Sequence, residues 1–227
     1  MREIVLDTET TGLDPDAGHR LVELACVELI NHVPSGREFH RHINPQRDMP
    51  EEAFAIHGLS AEFLAKHPTF DKIVESFFEF IADSPLIIHN ADFDLKFLNA
   101  ELKRVGREAI LRTRAIDTVA LARQKYPGAP ASLDALCKRF EIDLSARTKH
   151  GALLDSQLLA EVYLELVGGR QPDLDLSAEA AAAASDAAGT AAPLQFRAPR
   201  PHAPSAAELA AHETFLAKLK EPIWNRG

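Results

Sequence analysis

The sequence predicts an α/β fold: a five-stranded sheet, its first three strands antiparallel neighbours, flanked by helices. Three observations predict it. Extended apolar segments follow one another at about 3–8, 20–31 and 36–44, with short connections between them, and strands joined that way pair with each other. From residue 69 onwards, helical periodicities alternate with two further strand signals, at 85–89 and near 114–116. The pattern then stops near residue 168, so the fold belongs to residues 1–168. A chain of 227 residues suits one domain of ordinary size with an appendage.

The elements follow in order. The first strand carries Ile4-Val5-Leu6 and runs into two acids, Asp7 and Glu9. The second, with Leu21-Val22-Glu23-Leu24-Ala25-Cys26-Val27, is apolar nearly throughout, as an interior strand is. Thr69 is placed to cap the helix FDKIVESFFEFIAD, and Asp92 one that runs to about Val105. Asp117 or Thr118 starts the next, and Ser132 caps LDALCKRF. The last helix spans about 151–167. Its Leu154, Leu158, Val162 and Leu166 recur every four residues and must face the sheet.

Beyond residue 168 the composition shifts. A short segment, 169–176, leads into 177–207, where nearly half the residues are alanine and prolines interrupt any helix. With no apolar stripe to bury, it reads as a flexible linker. Residues 208–227 regain a helical pattern, with Leu209, Phe215, Leu216 and Leu219 on one broad face and Trp224 after a proline.

Composition excludes several classes. There is no run of eighteen apolar residues to span a membrane. The N-terminus MREIVLDTE lacks the basic start and long apolar block of a secretory signal, so a cytoplasmic protein is expected. Cys26 and Cys137 sit in apolar surroundings and read as reduced core thiols. A net charge of −9 argues against broad phosphate neutralisation. It leaves room for a few nucleotides held at a cation site, where metal supplies the positive charge.

The acids point to such a site. Asp7 and Glu9 lie two apart on a strand, hence on one face, and two carboxylates so placed repel unless a cation lies between them. Alone, this D-x-E also fits a solvated strand end. Thr10, Thr11 and Gly12 follow, adding hydroxyls and a point of close backbone approach. A second site follows the strand in LIIHNADFDL, where Asp92 or Asp94 comes near the sheet edge; capping explains Asp92 but not Asp94. The third is Asp155, between Leu154 and Leu158 on an apolar helix face, where an unpaired acid is costly. His150 lies five residues earlier. Hard oxygen donors suit Mg²⁺ or Mn²⁺. Asp7, Glu9, Asp94 and Asp155 together can hold two cations roughly 3.5–4 Å apart, the spacing used in phosphodiester cleavage. His150 is then the natural general base.

LDTETTG, HNADFD and HGALLD, in this order, resemble the DEDDh class of 3′→5′ exonucleases, over residues 1–168. The resemblance implies a ribonuclease H-like mixed sheet. It implies two divalent ions on Asp7, Glu9, Asp94 and Asp155, His150 as base, and release of 5′-mononucleotides from a 3′ end. It selects Asp94 over Asp92, because the metal acid of this motif follows the aromatic. Within the class, REIVLDTETTGLDP, AFAIHGLS, IIHNADFDLKFLNAEL and HGALLDSQLLAEVYLEL are similar to the proofreading subunits of bacterial DNA polymerase III. That implies a pocket for a single-stranded or frayed DNA 3′ end, lined by Thr10, Thr11, Gly12, Leu13, His57 and Phe93, with Asn90 as a further contact.

The tail carries the implied partners. Gln171, Leu174 and Leu176 resemble a short sliding-clamp-binding motif. The amphipathic segment 208–227, with Leu209, Phe215, Leu216, Leu219 and Trp224, resembles the part that binds the catalytic (alpha) subunit of DNA polymerase III, as a helix fits a groove. Two other readings stand beside this one. A freestanding 3′ exoribonuclease would not need the tail. A non-catalytic scaffold between clamp and polymerase would not need the acids and His150.

Overall fold

The computed structural model describes residues 1–145, 147, 149–168 and 203–218. The chain divides into two units, Met1–Asp173 and Leu174–Gly227.

In the first unit, β-rich segments form strands β1 (Arg2–Thr10), β2 (Leu21–Ile30), β3 (Val33–His42), β4 (Leu86–Ile88) and β5 (Ala115–Asp117). They form one sheet in the order β3-β2-β1-β4-β5. The pairs β1–β2 and β2–β3 are antiparallel. The pairs β1–β4 and β4–β5 are parallel. The sheet is therefore mixed, as the resemblance implies, with β1 at its centre. β1 runs to Thr10, past its expected end, so Glu9 lies within the strand. A register shift between Glu9 and Thr10 marks the end of regular pairing, and such irregularities commonly sit beside active sites.

The helices are α1 (Glu51–His57), α2 (Ala61–Leu64), α3 (Phe70–Ile81), α4 (Ala91–Arg104), α5 (Thr118–Lys125), α6 (Leu133–Arg139) and α7 (Ala152–Leu166). Helices α1 and α2 escape a periodicity reading because each is two turns or fewer. Two cores cover the two faces of the sheet. Ile4, Leu6 and Leu24 pack against Phe70, Phe77 and Leu98 of α3 and α4. Val5, Val27 and Leu29 pack against Leu158, Leu159 and Val162 of α7. Leu158, Val162 and Leu166 are buried as expected, and Leu154 is partly buried against the same cluster. Tyr163 donates its hydroxyl to the buried Glu3 carboxylate at 2.8 Å, fixing the far end of α7 to β1. Cys26 and Cys137 are buried and free.

Two expected caps need correction. Thr69 is the N-cap of α3, but its hydroxyl donates to Asp71 instead of accepting from the helix. Asp92 does not cap α4. The N-cap is Asn90, in the left-handed region at φ 66°, which asparagine tolerates. The Asp92 carboxylate instead pairs with Arg112 at 2.5 Å. Asp117 and Ser132 cap as expected, accepting from Val119 N–H at 2.9 Å and Ala135 N–H at 3.3 Å.

The second unit contains α8 (Ala206–Leu216), which begins ahead of the expected 208. Its start is a capping box. The Ser205 hydroxyl accepts from Glu208 N–H, and the Glu208 carboxylate accepts from Ser205 N–H. Leu209 and Phe215 are exposed and Leu216 is partly buried. Gln171, Leu174, Leu176, Leu219 and Trp224 lie outside the described residues. No helix among the described residues is long and apolar enough to cross a membrane.

Candidate active site

Strand alternation divides the first acidic segment between two faces. Asp7 and Glu9 share the α7 face with Val5, while Thr8 shares the α3–α4 face with Ile4 and Leu6. Because α4 starts directly after β4, Asp94 enters in its first turn. Asp94 is 3% exposed, and its carboxylate accepts from the Thr8 hydroxyl at 2.7 Å. Asp155 enters in the first turn of α7 and is 4% exposed. The central strand and the first turns of two helices thus bring four carboxylates together from distant parts of the chain.

Arg147 faces this group from the loop before α7. Its guanidinium forks onto Asp155, with Nε to Oδ1 at 2.6 Å and Nη2 to Oδ2 at 2.7 Å. The same Nη2 lies 2.9 Å from His150 Nδ1, and Nη1 pairs with Asp134. His150 Nδ1 is 3.3 Å from Asp155 Oδ2, and its side chain is half exposed. One ligand atom each from Glu9, His150 and Asp155 lie within 4.8 Å of one another.

The electrostatics record the crowding. Burial lifts the Asp7 carboxyl well above the carboxylate range, and Asp94, Glu9, Asp155 and Glu23 add repulsion. Asp7 nevertheless keeps part of its surface open to the cleft. Burial also pushes Glu9 up to about 8, helped by Glu23, Asp155 and Asp94 and opposed by Arg147. Asp94 rises to about 7, again through burial, with the Thr8 hydroxyl opposing. Such shifts mark acids that an added cation would relieve.

Two concavities adjoin the acids. One, of about 270 Å³, is lined by Asp7, His89, Asp134, Arg147, His150 and Asp155. The other, of about 480 Å³, brings together Thr10, Thr11, Gly12, Leu13, His57 and Phe93, beside Glu9. Asn90 lines neither; it is exposed at the start of α4, its N–H donating to Asp117 at 3.3 Å. A larger concavity of about 740 Å³ between Phe78 and Arg114 contains none of the acids. The threonine hydroxyls serve the protein itself: Thr10 donates to the Gly12 carbonyl at 2.6 Å, and Thr11 accepts from Arg20 N–H at 3.0 Å. Gly12 is explained by a neighbouring side chain. A Cβ there would stand 2.3 Å from the His19 ring.

Sequence reasoning missed Thr8, Arg147 and Glu23. Arg147 is a lone basic residue in a loop, with no periodic signal. Glu23 did carry one, an acid inside an apolar strand, the same signal that exposed Asp155.

Comparison with known proteins identifies the family. Residues 4–163 match the family model described as exonuclease, RNase_T. A DNA polymerase III subunit epsilon of Rickettsia prowazekii is 59% identical over 174 residues, 75% of this chain and 76% of that one. The DNA polymerase III subunit epsilon of Escherichia coli K12 is 45% identical over 177 residues, 74% of this chain and 72% of that one. Among solved structures, the nuclease domain of 3′hExo, a DEDDh family member bound to rAMP, shares the fold at a TM-score of 0.64 and 16% identity, covering 73% of this chain and 91% of that one. The chain belongs to the exonuclease family and, within it, to the DNA polymerase III epsilon subunits.

Proposed function

We propose that this exonuclease proofreads DNA synthesis within a DNA polymerase III complex, with two Mg²⁺ or Mn²⁺ ions on Asp7, Glu9, Asp94 and Asp155 and with His150 as general base. The reaction is hydrolysis of the 3′-terminal phosphodiester, releasing a 5′-mononucleotide. The carrying observation is the convergence of four acids at one end of β1, with Asp7, Glu9 and Asp94 lifted above the carboxylate range. Such crowding of hard oxygen donors fits divalent cations. When bound, the ions supply positive charge to the attacking and leaving oxygens.

The chain's own residues do the rest. The concavity from Thr10 to Leu13, closed by His57 and Phe93, receives the terminal nucleotide. A frayed end enters it directly, whereas a paired end must first be unstacked and unpaired at a cost of a few kcal/mol, by roughly the measure known for flipped bases. His150 takes a proton from the attacking water. With Arg147 donating to Nδ1, a neutral imidazole carries its proton on Nε2. The base role therefore requires His150 Nδ1 to exchange Arg147 for Asp155, 3.3 Å away, leaving Nε2 free to accept. Residues 171–176 and α8 are the contacts for sliding clamp and polymerase in this proposal.

The test is digestion of 3′-labelled single-stranded DNA. We expect mononucleotide release that needs Mg²⁺ or Mn²⁺. His150→Ala should lower kcat by about 10²–10⁴-fold while Mn²⁺ affinity is retained. An unchanged rate removes His150 as base, and absence of metal-dependent release sinks the whole assignment.

A further inference from the structure

We propose that Glu23 and His40 are positioning residues of the nuclease centre: together they fix the N-terminus of α7, and with it Asp155 and His150. The inference rests on the roles given to those two residues above.

Glu23 is 5% exposed on β2, between Val22 and Leu24, and it stands opposite Glu9 in the strand register. Its two oxygens are committed in different directions. Oε2 accepts from Ala152 N–H at 3.0 Å, in a buried hydrogen bond. Oε1 lies 2.6 Å from His40 Nε2 and 3.4 Å from His42 Nε2. The pairing of β2 with β3 sets Glu23 opposite His42 and Ala25 opposite His40, so all three side chains share a sheet face. The His42 ring packs on Phe63 and His67, with centroids 5.0 Å away in each case, and on His40 at 4.8 Å. The imidazoles are thereby held against the carboxylate. The three donors also have the spacing of a metal-ligand set, but both Glu23 oxygens already have protein partners.

Helix α7 needs such a partner. The first N–H groups of any helix lack intrahelical acceptors. Its N-cap is Gly151, which has no side chain to offer. Glu23 reaches across from the sheet to supply the acceptor, and a carboxylate also suits the positive end of the helix. The cost is electrostatic, since Glu23 is the charge that most raises Glu9. Ala152 lies two residues after His150 and three before Asp155, so one hydrogen bond locates both. A displacement of about 1 Å at a reacting group costs roughly 10²-fold in rate.

The experiment compares full-length Glu23→Asp, Glu23→Gln, His40→Ala and Asp155→Asn with the native chain, each checked for folding by circular dichroism. Readouts are kcat and KM on single-stranded DNA and Mn²⁺ affinity by electron paramagnetic resonance. Aspartate keeps the charge but is one methylene too short to reach Ala152. Glutamine keeps the reach and loses the charge. We expect Glu23→Asp to lose about 10–100-fold in kcat or in Mn²⁺ affinity, with KM little changed, and Glu23→Gln to stay close to native. His40→Ala should fall between them. Native kcat and Mn²⁺ affinity in Glu23→Asp, beside an inactive Asp155→Asn, overturn the positioning role alone. A Glu23→Gln defect as deep as that of Glu23→Asp overturns it too. Full activity in Asp155→Asn overturns the site assignment itself.

Discussion

At the scale of single residues, the centre is defined by acids held where acids are costly. Glu9 at about 8 and Asp94 at about 7 both lie above the usual carboxylate range. Between about pH 4 and these values, the folded chain binds more protons than the unfolded one. Stability therefore falls as pH rises through the folded values. In EDTA, Tm should decline from about pH 4 to about 8, at roughly 2–4 °C per kcal/mol for a domain of this size. Glu9→Gln and Asp94→Asn should flatten that decline, and saturating Mg²⁺ should do the same. A Tm that stays level or rises over this range in EDTA would contradict the crowding. Asp94 and Asp155 were legible in the sequence because each interrupts an apolar helix face. Arg147 was not, because its place depends on how the loop before α7 folds back, which no local pattern encodes.

At the scale of elements, the acids depend on how helices dock against the sheet. Helix α4 is anchored near the start of β2 by Arg20. Its guanidinium forks onto the Glu101 carboxylate, with Nε to Oε1 at 2.5 Å and Nη2 to Oε2 at 2.8 Å. Glu101 is 2% exposed. Breaking a buried pair by removing one partner strands the other charge. Glu101→Ala should therefore cost about 3 kcal/mol in chemical denaturation. A loss no larger than that of an exposed pair would show that Arg20 finds water instead. Most elements were legible from periodicity and turn signals, since each long apolar face had to meet the sheet. The start of α4 was not. Asp92 had the composition of a cap, yet Arg112 took its carboxylate, and a left-handed Asn90 turned the chain instead. Tertiary contacts overrode a sound local preference.

At the scale of the molecule, one unit carries the chemistry and the other an exposed apolar helix with its own start signal. Under the proposed function, docking of α8 on the polymerase raises the concentration of nuclease there without adding contacts to DNA. Deleting residues 177–227 should leave digestion of single-stranded DNA intact and abolish co-purification with the polymerase catalytic subunit. Equal binding by the shortened chain would refute the role proposed for α8. β1 lies at the centre of the sheet, paired on both sides. Asp7 and Glu9 belong to a core strand, which opens at a free energy near that of the whole domain, whereas His150 sits between α6 and α7, where the described residues form no helix or strand. Regions of so unequal local stability open at different free energies. On warming, this enzyme should fall silent while its sheet is still intact, and recover without refolding when cooled.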